Sequence, residues 1–396
     1  MPDEVQDLEP TGLRFQTYFA ASCLRRLILG INPLIGVIYH WIGGLACASC
    51  YLPFRFVRKW SWETYWLAQG FFSFLLAPVI AAFLLVPEVS AVLHHTPWHT
   101  LVVTYIWGLL WGVGGLTFGL SIRYLGIALG YAVALGFTTA FGTLMPPIYS
   151  GEMPALLYHT PGQVILFGIG VCMVGIALSG MAGYSKEREL SSAEKEKTVA
   201  EFNFSKGMLV AVFAGVMSAC FAYGLATGKP IGALARSSLL AHGRALEWQN
   251  LPILIVILLG GLTTNVAWCV VLMARNGTWG QILNADSDSA PGCLSRKHAS
   301  LGLNYLLCAS VGIMWYLQFF FYSIGQTKMG KYDFSSWTLH MASIIIFSTL
   351  WGVALKEWNG TNRNTKMLVF LGLVVLVLST AIVGYGNFLQ TNAPPS

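Results

Sequence analysis

Ten stretches of about twenty mainly apolar residues, the length a helix needs to cross a hydrocarbon core, set the outline of this chain. They fall near residues 31–54, 63–86, 99–120, 124–146, 161–183, 207–227, 249–274, 299–324, 334–355 and 367–389. Lipid gives backbone N–H and C=O groups no partner, so each segment must satisfy its own hydrogen bonds as a helix. The expected fold class is an all-α membrane protein with ten transmembrane helices. Residues 99–146 read as one apolar run, but a single helix of that length would reach about 70 Å across a core of about 30 Å. The run has to fold back, and Arg123 marks the expected hinge. Only 10% of the 396 residues are charged and the mean hydropathy is +0.62, against roughly 25% charged in a soluble domain.

The longest charged stretch, "SKERELSSAEKEKTVAEFNFSK" from 185 to 206, separates spans five and six. It divides the chain into a first five-helix repeat (31–183), a linker (184–206) and a second five-helix repeat (207–389), with an extension at 1–30 and a tail at 390–396. Gly108-Leu-Leu-Trp111 with Gly126 and Gly312-Ile-Met-Trp315 with Gly330 share their spacing and their place in the third span of each half. An odd number of spans per repeat inserts the second half upside down, the inverted-repeat plan of many secondary transporters. The linkers after odd-numbered spans carry 15 of the 23 Lys and Arg, which places them in the cytoplasm and both termini outside; Arg25 and Arg26 count the other way. Asn276-Gly-Thr and Asn359-Gly-Thr then fall inside and read as chance glycosylation triplets. The acidic start "MPDEVQDLEP" does not resemble a secretory signal, and the segment after it fits either an interfacial helix or a disordered tail.

The net charge of +6 is scattered between apolar runs, which argues against nucleic acid as a partner. Cys47-Ala-Ser-Cys50 has redox or metal spacing, yet it stands alone among small residues and reads as helix packing. The phosphate loop G-x-x-x-x-G-K-[ST] and the hydrolase motifs H-E-x-x-H and G-x-S-x-G are missing from the sequence. An ion gradient, with no cofactor, is therefore the expected energy source.

Ionisable side chains within apolar spans face a cavity or a partner, because centring a charge in lipid costs about 2.5–3.5 kcal/mol. His40, ten residues into span one, and His340, six into span nine, are the first such groups; each either hydrogen-bonds a neighbouring helix or lines a cavity. Asp333, Trp337 and His340 are spaced to share one helix face. Asp333 divides between an N-cap and a proton carrier. Glu63 reads as a first-turn acid favoured by the helix dipole or as a coupling group, and Arg123 as an interface residue. Asn265, Tyr316 and Gln318 are neutral groups suited to a polyol. The aromatic run Trp315 to Tyr322 reads as packing or lipid contact.

Several long strings resemble the bacterial L-rhamnose-proton symporters, a ten-helix branch of the drug/metabolite transporter superfamily. They are Tyr39-His40-Trp41, "KWSWETYW" (59–66), "IRYLG" (122–126), "GTLMPPI" (142–148), "EFNFSKG" (201–207), "MWYLQFFFY" (314–322), "YDFSSWTLHM" (332–341) and "LKEWN" (355–359). The resemblance runs from about residue 38 to the end. It implies import of a six-carbon deoxy sugar with a proton across the bacterial inner membrane, by alternating access of two inverted five-helix repeats. The expected site lies near the midplane between them, where His40, Tyr316, Gln318 and His340 can converge. Partners are then a sugar, a proton and the lipid bilayer. The N-terminal extension and the linker "NGTWGQILNADSDSAPGCLSRKH" depart from the family pattern. A metabolite exporter of the same fold, an intramembrane enzyme using the two histidines, and a sugar-sensing receptor are the alternatives.

Overall fold

A computed structural model describes residues 30–125, 127–189, 203–284 and 300–392. Among them, ten helices are long and apolar enough to cross a membrane, in the order the apolar runs predict. The first half holds α1 (Pro33–Ser49), α2 (Trp62–Leu85), α3 (Trp98–Leu125), α4 (Ile127–Tyr149) and α5 (Thr160–Glu189). The second holds α6 (Phe204–Thr227), α7 (Leu251–Asn276), α8 (Leu301–Lys328), α9 (Ser336–Ala354) and α10 (Arg363–Asn392).

Local sequence explains where several helices begin and end. Asn32, Asn203 and Ser300 accept hydrogen bonds from the backbone N–H three residues on, at the starts of α1, α6 and α8, which satisfies one orphan donor each. Pro33 sits where its missing N–H costs nothing. α7 stops at Gly277, whose φ of 67° lies in the left-handed region that glycine tolerates. α3 is described to Leu125 and α4 from Ile127, so the expected hinge near Arg123 falls where residue 126 lies outside the described residues. The side chain of Arg123 lies outside the described residues, as do the extension before residue 30, most of the charged linker and most of the linker between α7 and α8.

Packing relates the two halves. α1 lies against α8 and α9, while α6 lies against α4 and α3; α3 packs on α7 as α8 packs on α2, and α4 on α5 as α9 on α10. Exchanging α1–α5 for α6–α10 maps each of these pairs onto another, and the crossings of α5 with α10, α2 with α7 and α4 with α9 map onto themselves. The two glycine–tryptophan motifs occupy matching places. A Cβ on Gly108 would meet the Ile257 carbonyl on α7, and one on Gly312 would lie 2.7 Å from the Gln69 carbonyl on α2. Trp111 and Trp315 meet each other with ring centroids 5.7 Å apart. Close backbone approach of this kind is how membrane helices associate, because apolar surface gains little by leaving lipid for protein.

Successive spans run in alternate directions, so the linkers after α2, α4, α6 and α8 share one face with the start of α1 and the end of α10. Lys331 N–H donates to Gln390 on that face at 3.3 Å. Short surface helices, Val89–His95, Met153–Tyr158 and Lys229–Ala241, cover it. The apolar runs do not predict them, because none is long enough to span. The third buries Ile231, Ala235 and Leu239 at four-residue spacing, one stripe of an amphipathic helix. Its Ser238 hydroxyl donates to the Pro87 carbonyl at 2.9 Å.

Candidate functional site

α1 and α9 bring His40 and His340 together in the interior. Both side chains are fully buried and their ring centroids are 6.4 Å apart. Tyr322 of α8 touches both, at 5.3 Å from His40 and 5.2 Å from His340. None of the four imidazole nitrogens has a hydrogen-bond partner in the protein, although a buried polar group normally finds one. Glycines make the approach feasible. A Cβ on Gly325 would lie 2.9 Å from the His40 ring, and one on Gly43 would lie 3.5 Å from His340 Cε1 and 2.9 Å from the Gln318 carbonyl. Ser343 ties the two helices by donating to the His40 carbonyl at 2.9 Å and the His340 carbonyl at 2.7 Å.

Trp337 is one turn from His340 on α9. Its Nε1–H donates to the Thr138 carbonyl of α4 at 2.9 Å, and Gly142 leaves the space its indole fills. The Trp337 ring contacts Tyr322 at 5.8 Å and stacks on Phe221 of α6 at 5.8 Å, and Phe221 stacks on Phe319 at 4.2 Å. From there the aromatic chain runs through Trp111 and Trp315 to Phe74. It links helices of both halves through the centre.

The other predicted residues divide. Gln318 and Tyr316 are buried on α8, but the rings touching the histidines are Tyr322 and Phe319; the Tyr316 ring lies 6.1 Å from Phe320 and its hydroxyl has no partner. Asp333 does not share one regular helix face with Trp337 and His340. It lies in a 3-10 turn, Gly330–Ser335, that bends at Tyr332 (φ −97°, ψ 44°), and Ser335 takes the cap position of α9. Its carboxylate is 3.5 Å from Lys229 Nζ at the helix-covered face. Glu63 is in the first turn of α2, as the dipole argument expects, but the structure adds a staple. Asn276 Nδ2 and Thr278 Oγ1 donate to its Oε1 at 2.9 and 3.0 Å, joining the start of α2 to the end of α7. Asn276, read from sequence as half of a chance triplet, is thereby engaged. Cys47 and Cys50 are free thiols, and among the described residues no group of three His, Cys, Asp or Glu could hold a metal ion.

Tyr322 and Phe319 were missed as neighbours of the histidines. The 3–4 spacing of Gly312, Trp315, Phe319 and Tyr322 marks one face of α8, and that stripe was the available signal. A second pair of unpartnered amide donors, Gln69 Nε2 and Asn265 Nδ2, lies where α2 crosses α7. There α2 loosens into a π-helical stretch, Phe71–Leu76, a feature frequent at functional sites.

Ten helices long and apolar enough to span, with titratable side chains buried among them, define a multi-pass helical membrane protein. The family described as L-rhamnose-proton symport protein matches residues 31–388. Relatives named L-rhamnose-proton symporter from Salmonella gallinarum, Salmonella paratyphi B and Salmonella newport are each 35% identical over 353 residues, covering 89% of this chain and 97% of theirs. The chain belongs to the L-rhamnose-proton symport protein family, a family of transporters and not of enzymes.

Proposed function

We propose that this protein imports L-rhamnose with a proton across the bacterial inner membrane, by alternating access of two five-helix halves inserted in opposite senses. The observation that carries the reading is the His40–Tyr322–His340 group: four buried ring nitrogens without protein partners, on helices from different halves. The relatives' names supply the sugar. The exchange of neighbour pairs between halves and the meeting of Trp111 with Trp315 support the inverted repeat, and the excess of basic residues after odd-numbered spans supports an outward-facing Lys229–Asp333 side.

Neutral imidazole offers one donor and one acceptor, and protonated imidazole offers two donors. A sugar hydroxyl both donates and accepts, so one hydroxyl can bridge the two rings, and a proton on either ring adds a donor for a second. Proton and sugar then stabilise the same closed arrangement of α1 and α9, which is the linkage a symporter needs. Rocking one half against the other separates the rings, breaks the shared contacts and releases both. The test is uptake of labelled L-rhamnose into proteoliposomes under an imposed pH gradient. Accumulation that collapses with a protonophore is expected; uptake that ignores the gradient overturns the symport.

A further inference from the structure

An open cavity of about 280 Å³ lies at the helix-covered face, between Lys229–Ala241, the end of α8 and the turn before α9. It is separate from the histidine pair. Its wall residues Leu225, Gln326 and Asp333 each stand four positions from one ring: Phe221 on α6, Tyr322 on α8 and Trp337 on α9. One helical turn is about 5.4 Å, so Phe221 and Tyr322 lie about one turn below the cavity, and Trp337 follows Asp333 across the end of the 3-10 turn into α9. The three rings touch one another, with centroids 5.8 to 6.3 Å apart. Tyr322 also touches both histidines, so its ring stands between the cavity and the histidine pair.

The polar groups of the cavity are paired, but loosely. Lys229 and Asp333 are 3.5 Å apart, Arg236 Nη1 donates to Gln249 at 3.4 Å, and Asn250 Nδ2 reaches Gln326 at 3.3 Å and the Ser323 carbonyl at 3.4 Å. All exceed the usual 2.7–3.2 Å range of a well-formed bond. By contrast Lys328 and Glu247, in the adjoining cavity of about 360 Å³, meet at 2.8 Å. Donors and acceptors held slightly too far apart gain more from an inserted hydroxyl than tight pairs do, and Leu225 adds an apolar wall. The volume is near the lower end of small-molecule sites, about 300 Å³, which suits a single monosaccharide ring.

We propose that this cavity is a second, external binding site for a neutral monosaccharide, occupied before the sugar passes the Phe221–Tyr322–Trp337 plug. This rests on the proposed function for its sugar and for the outward orientation of this face, but not for the cavity itself. Ala233 is exposed, lines the cavity and carries no polar side-chain atom, so Ala233→Cys is the reporter. Reconstituted protein is treated with a membrane-impermeant maleimide with and without L-rhamnose, and modification is read by mass spectrometry of the peptide carrying position 233. Ser237→Cys, exposed on the same surface helix but lining neither cavity, controls for a general change of accessibility.

At three times the dissociation constant, labelling of Ala233→Cys is expected to slow about fourfold, as 1 + [L]/Kd. Ser237→Cys should not change, and the protection should persist when His340→Ala is added. Protection that vanishes with His340→Ala, that extends equally to Ser237→Cys, or that is absent in both backgrounds overturns the external site. Protection by galacturonate and not by L-rhamnose overturns the neutral class. If wild-type protein shows no gradient-driven uptake while Ala233→Cys is still protected, the symport reading fails and the site stands.

Discussion

Glu63 and His340 are both titratable side chains at most 5% exposed, and their surroundings are opposite. The Glu63 carboxylate receives two hydrogen bonds, from a side chain at the last residue of α7 and from one just beyond it. The His340 imidazole receives and donates none within the protein, and its nearest aromatic neighbour is Tyr322. A group whose partners are supplied is held in one arrangement; a buried group without partners is costly to keep and can be satisfied by something that comes and goes. The contrast makes the first region a staple and supports the proposal that places the working chemistry in the second.

The largest effect expected is on the histidine side. His340→Ala should lower gradient-driven uptake about 100-fold, the scale of removing a proton-transfer group, measured as initial rates in proteoliposomes. Normal transport by this variant would erase the contrast. On the Glu63 side, Glu63→Ala should cost about 1–3 kcal/mol of stability by orphaning Asn276 and Thr278, read as a lower Tm in detergent. Glu63→Gln keeps an oxygen that accepts from both, so it should recover that Tm and retain uptake. If Glu63→Gln instead abolishes gradient-driven uptake while sugar exchange continues, the roles are reversed.

Smaller changes sharpen the picture. Trp337→Phe keeps a ring against Tyr322 but loses the bond to the Thr138 carbonyl, which should cost about 1 kcal/mol; thermal unfolding of purified protein measures it. A loss several times larger would mean that the α4–α9 contact also holds the histidine pair in place. Lys229→Met should change stability by less than about 1 kcal/mol, because exposed ion pairs contribute little. A larger destabilisation in the same assay would move Asp333 from the loosely paired rim to the structural core.

Much of this architecture was legible before folding was considered. The ten spans follow from run length, since a bilayer imposes one dimension on every helix. The Gly108–Trp111 and Gly312–Trp315 spacings marked two tryptophans whose rings meet in the interior. His40 and His340 could be singled out because ionisable residues are rare in apolar spans. The 3-10 bend carrying Asp333 and the short surface helices were not legible. They depend on a residue or two at a helix end or on segments too short for periodicity to speak.

The sequence by itself determined that this chain lies in a membrane as ten helices and which few residues there could bear a charge, because lipid penalises each unsatisfied polar group wherever it falls. Tertiary structure alone decided that His40 meets His340 across Tyr322 while Asp333 turns to Lys229 and Glu63 to Asn276 and Thr278. Those pairs depend on which small residues let which helices approach, such as Gly43 and Gly325 beneath the imidazoles, and a one-dimensional pattern holds no record of which face meets which.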